Sequence, residues 1–273
     1  MPEDIKEVEF TIFDTETTGL DPACGDRIIE IAAIKLKNNA RGETFHSLVN
    51  PQRRVSPAAF QINNISDEML KGAPAIEKVL PLFLDFIKKG VLCSYNAGFD
   101  MEFINNEARL LNLNLPQELI VVDILAMARK LLPGMQRHAL WFVASNMDIN
   151  TVQRHRALSD VELTIQVFGK LNAMLKNKGI TEFSQFRSLF SLDSERSRGM
   201  DDKKIREIQQ AIDLEAKLKI KYFSHSEAKV TERLVTPKEI IQNRNKEYLV
   251  GYCHLRGEER TFRIDGILHI EIV

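Results

Sequence analysis

The chain of 273 residues carries 37 Lys+Arg against 38 Asp+Glu, a formal net charge of -1, with 44% hydrophobic and 27% charged residues. That balance excludes extended disorder and a strongly basic protein that coats nucleic acid, and the length suits two domains. Three scattered cysteines, Cys24, Cys93 and Cys253, argue against a disulfide framework and against a cysteine zinc site. In chain order, Glu7 to Asp14 (EVEFTIFD), Arg27 to Leu36 (RIIEIAAIKL) and Glu43 to Val49 (ETFHSLV) predict an antiparallel meander. Ile76 to Lys89 has helical spacing in Ile76, Val79, Leu80, Phe83, Phe86 and Ile87; Val91 to Tyr95 reads as a strand and Phe99 to Leu111 as a helix. Leu119 to Asp123 is a buried-type strand, followed by helices over 124–131, 138–146 and 160–175, the last with Ser159 and Glu162 as an expected capping box. Strands first, then alternating helices and strands, predict a mixed α/β sheet with helices on its faces.

The pattern changes after residue 178. Residues 179–200 hold Gly, Ser and Arg with weak periodicity and read as a linker with one short helix. Asp201 to Lys219 predicts an amphipathic helix with Ile205, Ile208, Ile212 and Leu218 on one side. Short strands then follow (IKYF, RLVT, EYLVGYCHL, RTFRI and ILHIEIV), divided by turn-like NRNK and RGEE, which suggests a small, mostly antiparallel, barrel-like β domain. The expected domains are therefore 1–178 and 201–273. No apolar run approaches ~18 residues, and the start MPEDIKEVEF has no basic region followed by an apolar one. The expectation is a cytoplasmic protein with no membrane partner.

Three segments carry candidate chemistry. Asp14-Thr15-Glu16 ends the first predicted strand, and side chains two apart share one face. Paired carboxylates repel unless a cation neutralises them, and hard oxygen ligands suit Mg²⁺ or Mn²⁺. Thr17-Thr18-Gly19-Leu20 follows as a tight turn whose backbone N–H groups can meet a substrate. Asp100 lies where a strand passes into a helix, and His155 stands in a loop ahead of Asp160. A neutral imidazole in such a loop can accept a proton from water. Taken singly, a solvated strand edge, a helix cap and an exposed loop histidine are the commoner readings of these segments.

Together, the order D-x-E, N-x-x-F-D, H-x-x-x-x-D resembles the DEDDh exonuclease family, typified by the proofreading epsilon subunit of bacterial DNA polymerase III. FDTETTGL, DRIIEIAAIKL, PAAFQINNISDEM and VVDILAMAR extend the resemblance over residues 7 to 175. It implies a ribonuclease-H-like fold with flanking helices and 3′→5′ hydrolysis that releases nucleoside 5′-monophosphates. It further implies Asp14, Glu16, Asp100 and Asp160 as ligands of two metal ions, and His155 as general base. Thr17 and Leu20 are implied to meet the terminal nucleotide, through a backbone N–H and an apolar base contact. Tyr95 and Asn63 stand where relatives often have His.

The C-terminal sequence, with Tyr222, RLVTPKEI and EYLVGYCHLRGEERTFRIDGI, resembles a WYL domain over residues 205 to 273. Glu247 replaces the Trp of its namesake triplet, and Gly266 stands where Arg is common. Arg233, Arg256, Arg260 and Arg263 are its candidates for binding a nucleotide or nucleic-acid ligand; the competing reading makes them solvated strand residues. The expected protein is an exonuclease acting on single-stranded 3′ ends, with DNA as substrate and the WYL domain positioning substrate or regulating. An RNA exonuclease of the RNase T or oligoribonuclease type, and a non-enzymatic WYL ligand sensor, are the alternatives.

Overall fold

The computed structural model describes residues 2–273 apart from 151–153, 193 and 244–245, and of 194–202 the helical backbone alone. The predicted meander forms β1 (Glu9–Thr17), β2 (Ile28–Lys37) and β3 (Ala40–Leu48), paired antiparallel. Two short helices that the sequence reading does not assign follow, α1 (Pro57–Asn63) and α2 (Asp67–Leu70), capped by Ser56 and Ser66. Then come α3 (Ile76–Phe86), β4 (Val91–Ser94), α4 (Ala97–Leu110), β5 (Ile120–Asp123), α5 (Ile124–Leu131), α6 (Leu140–Asn146) and α7 (Ala157–Asn177). The strand order is β3-β2-β1-β4-β5, with β4 and β5 parallel to β1. This is the expected ribonuclease-H-like mixed sheet.

Alternation along β1 splits the core in two. Phe10 and Ile12 face one buried cluster with Ala32, Ile34 and the apolar sides of α5, α6 and α7. Phe13 faces the other, with Ile31, Ala33 and the sides of α3 and α4. Asp14 and Glu16 continue the Phe10–Ile12 face and so point toward α7.

The segment 179–200, expected to link the domains, contains α8 (Phe183–Phe190), and this helix is part of the first core. Phe183, Phe186, Leu189 and Phe190 are buried with Phe10 and Phe168, and the Phe10 and Phe186 rings meet edge-on at 5.6 Å. Backbone bonds tie both ends: Phe183 N–H donates to Glu3 O (2.7 Å) and Leu192 N–H to Val121 O (2.8 Å). Spacing of three and four places these four side chains on one helix face, a period that the surrounding Ser, Gln and Arg obscure. A chain ending at Lys178 therefore loses part of its core. Phe186→Ala is expected to lower the unfolding free energy of the full chain by about 3–5 kcal/mol, measured by urea denaturation; a loss near zero would mean that α8 does not hold the core.

The C-terminal domain opens with α9 (Ser194–Asp213), which begins and ends earlier than expected, so Leu218 lies on a strand. Its apolar residues, among them Ile208 and Ala211, cover a sheet of β6 (Leu218–Ser224), β7 (Lys229–Asn243), β8 (Lys246–Cys253), β9 (Glu258–Arg263) and β10 (Ile267–Ile272). All ladders are antiparallel in the order β10-β6-β7-β8-β9. Among the described residues no ladder joins β9 to β10. The expected NRNK turn lies partly outside the described residues. Phe223 and Ala228 are buried in the same cluster as Phe10 and Phe186, and Lys221 Nζ donates to Gly179 O (3.0 Å), so this domain rests on the first.

Candidate functional site

The carboxyl ends of β1 and β4 meet the first turns of α4 and α7, and the acidic residues gather there. Asp14, Glu16 and Asp160 each offer a carboxylate oxygen within 4.8 Å of the others. Asp160 is the fourth residue of α7, not the first as the sequence suggested, because the helix starts at Ala157. Ser159 and Glu162 therefore form no capping box; Glu162 instead pairs with Arg41 of β3 at 2.8 Å. Asp100, the fourth residue of α4, approaches from the other sheet face. Its Oδ1 accepts from Thr15 N–H (3.0 Å) and Thr15 Oγ1 (2.7 Å), and its Oδ2 from Ser94 Oγ (2.7 Å). Asp100 thus stands beside the trio, held by three donors.

Burial first, then the crowding of like charges, shifts these groups. Asp14 is raised well above the usual carboxylate range by burial and by Asp100, Glu16, Asp160 and Glu30. Glu16 is pushed up to about 8 by burial and by Asp160 and Glu30, against a hydrogen bond from Asn63. Burial raises Asp100 to about 6, moderated by Ser94 and Thr15. Hard oxygen donors that cannot all ionise together match the needs of a divalent cation such as Mg²⁺ or Mn²⁺, so the residues fit such an ion.

The remaining candidates are distributed as follows. Thr17 is buried and its Oγ1 donates to Gly19 O (2.5 Å); Leu20 just beyond is 78% exposed. Gly19 permits this turn, since a Cβ there would stand 2.2 Å from the Asp26 carboxylate. His155 is exposed on a left-handed backbone (φ 49°) two residues before α7. Asn63, at the end of α1, is buried against Thr17 O. Tyr95 Oη donates to His138 O (2.7 Å), which makes it a wall of the fold. Trp141, on α6, is 48% exposed.

The WYL-region arginines do not form one surface. Arg233 is buried, donating to Thr231 Oγ1 (3.0 Å) with its guanidinium over the Phe262 ring. Arg263 is half-buried and held by Asp265, while Arg260 is exposed and pairs with Glu258 at 2.8 Å. Arg260 and Arg263 are three apart on β9 and so face opposite sides. Arg256 is exposed in the β8–β9 turn.

Sequence reasoning passed over Glu30, Arg156 and His46. Glu30, on β2 directly opposite Glu16, is 1% exposed and binds both others. It also missed Asp123, whose Oδ1 accepts the N–H groups of Asn96 (3.1 Å) and Leu125 (3.0 Å) and so ties α4 to α5. A buried charge within an apolar strand, as in RIIEIAAI, was the available signal. Among the described residues no helix is long and apolar enough to cross a membrane.

Comparison with known proteins bears on the family and the fold. Residues 203–272 match the WYL domain model. The PolC-type DNA polymerase III of Caldanaerobacter subterraneus is 39% identical over 67% of this chain and 13% of its own length. The Staphylococcus aureus protein of that type is 30% identical over 94% of this chain and 18% of its own. The chain thus spans less than a fifth of these curated relatives. The nuclease domain of 3′hExo, a DEDDh family member bound to rAMP, shares the fold at TM-score 0.55 and 18% identity, covering 65% of this chain and 96% of that one. Cell-death related nuclease 4 does so at TM-score 0.55 and 14% identity, covering 62% and 65%. Residues 11–168, more than half of the chain, match the exonuclease family model, and the chain belongs to that family of hydrolytic nucleases.

Proposed function

We propose that the chain removes nucleotides one at a time from the 3′ ends of single-stranded DNA. In this reading Asp14, Glu16, Asp100 and Asp160 hold two Mg²⁺ or Mn²⁺ ions. The observation that carries it is the convergence of Asp14, Glu16 and Asp160, brought by β1 and α7 to one point with oxygens within 4.8 Å. Bound there, the ions would orient a water molecule and offset the charge on the phosphate and the departing 3′ oxygen. Glu16 and Asp14 supply oxygens from one strand face, and Asp160 supplies its own from the first turn of α7. Asp100, locked by Thr15 and Ser94, contributes from the opposite face. His155 accepts the proton of the attacking water, and its exposure lets the proton pass on to solvent. The Thr17 backbone and the free side chain of Leu20 meet the terminal nucleotide. The product is a nucleoside 5′-monophosphate.

DNA is favoured over RNA because the curated relatives are DNA polymerases by name. The WYL domain, docked against α8, positions the strand or responds to a nucleotide ligand; of the four arginines singled out in its sequence, Arg256 and Arg260 are exposed. The test is digestion of 5′-labelled DNA and RNA strands of one sequence with Mg²⁺, Mn²⁺ or EDTA. A ladder shortening from the 3′ end, faster on DNA and absent in EDTA, is the expected result. A ladder on RNA alone would move the substrate to RNA, and undiminished digestion in EDTA would remove the metal ions from the reading.

A further inference from the structure

We propose that Glu30 is a positioning residue: its buried carboxylate caps α7 from a neighbouring strand, clamps Arg156, and so sets where His155 and Asp160 stand. This rests on the reading of Asp14, Glu16 and Asp160 as the metal site. Glu30 lies on β2, which supplies none of the proposed ligands, opposite Glu16 in the β1–β2 register. It is 1% exposed, and a carboxylate so placed is costly unless fully partnered.

Each of its oxygens accepts two donors. Oε1 accepts from Arg156 Nη2 (2.8 Å) and His46 Nε2 (2.8 Å). Oε2 accepts from Arg156 Nε (3.0 Å) and from the backbone N–H of Ala157 (3.0 Å). Arg156 is the N-cap residue of α7, and its side chain makes no capping bond to the helix. The first helical N–H, that of Ala157, is satisfied by Glu30 instead. Glu30 therefore does what Ser or Asp does at an ordinary N-terminus, from a different strand, and its charge faces the positive end of the helix.

The clamp sits between the two groups that matter. His155 precedes Arg156 and holds a left-handed conformation, uncommon for a residue other than glycine. Asp160 follows one turn later, its N–H donating to Arg156 O (2.9 Å). Any shift of Arg156 is passed to both. Glu30 adds negative charge beside an already crowded acidic cluster, so its value there is geometric.

A buried pair that only holds the fold predicts that repairing the fold repairs function, and this separates the two roles. In the full chain, Arg156→Met takes from the buried Glu30 carboxylate its guanidinium and leaves it only His46 and the Ala157 N–H, which should lower thermal stability; adding Glu30→Gln should restore most of it, because no buried carboxylate is then left without its cation. The double variant should still turn over about 30- to 100-fold more slowly with KM within about threefold. It should bind Mn²⁺ alone about tenfold more weakly by calorimetry. Wild-type kcat and Mn²⁺ affinity in the double variant would overturn the proposal. Arg156→Lys gives a milder check, since it keeps the charge and loses the two-point grip. Its kcat should fall several-fold at near-wild-type melting temperature, and an unchanged kcat would count against positioning. Asp160→Asn separates the claims. Full activity there removes the underlying reading of the site. Loss there, beside a wild-type double variant, removes the positioning role alone.

Discussion

Replacing Asp14 by Asn is expected to lower exonuclease turnover by about 10³-fold or more, while making the metal-free protein more stable at pH 8. The two effects have one cause. Asp14 sits at the centre of the acidic cluster, where burial and the charges of Asp100, Glu16, Asp160 and Glu30 all act against its ionised form. Asn keeps the shape, removes the charge that would hold a cation, and relieves the repulsion. A residue retained for packing behaves in the opposite way, since its replacement costs stability and leaves activity in proportion to the folded fraction. Turnover is read on a labelled oligonucleotide with Mg²⁺, and stability by thermal melting in EDTA. An Asp14→Asn protein that digests at the wild-type rate would remove Asp14 from the chemistry.

The parts of the fold legible in the sequence were those with one strong period. Alternation in EVEFTIFD located β1, and with it the shared direction of Asp14 and Glu16. The 3.6-residue pattern of Ile76, Val79, Leu80 and Phe83 located α3. Short elements escaped for physical reasons. α1 has seven residues and exposes Phe60 and Ile62, so its apolar side chains do not trace a buried face. α8 buries four large side chains within eight residues, but polar neighbours dilute any longer window. The start of α7 was misplaced because local rules favoured Ser159 as the cap, whereas the cap arrives from Glu30, 127 residues away in sequence from Ala157. A tertiary cap leaves no local signature. The WYL arginines show the complementary limit: the resemblance suggested one basic ligand surface, and strand alternation with local acidic partners divides it.

Mg²⁺ should stabilise the protein far more at pH 8 than at pH 5.5. Glu16 holds its proton up to about pH 8 in the metal-free fold, whereas the unfolded chain releases it near the ordinary glutamate value of 4.5. Between those limits the folded state binds more protons than the unfolded one, so stability falls as pH rises through the window. Asp14, raised in the same direction, deepens the fall, and Asp100, raised to about 6, adds to its lower half. Glu30 runs the other way. Burial alone would raise it, but its bonds to Arg156, His46 and Ala157 N–H outweigh that and hold it below the usual range, so it stays ionised throughout. A divalent ion reverses the pattern, because it binds the ionised carboxylates and must displace their protons, so its affinity grows with pH. At a free concentration of 100 times its Kd it stabilises the fold by about 2.7 kcal/mol, or roughly 5–10 °C in melting temperature for a chain of this size. Melting in EDTA should therefore drop between pH 5.5 and 8, with Mg²⁺ restoring part of the loss at pH 8 and changing little at pH 5.5. Equal stabilisation at both values, or a metal-free protein that melts higher at pH 8, would show that these carboxylates do not share the site as described.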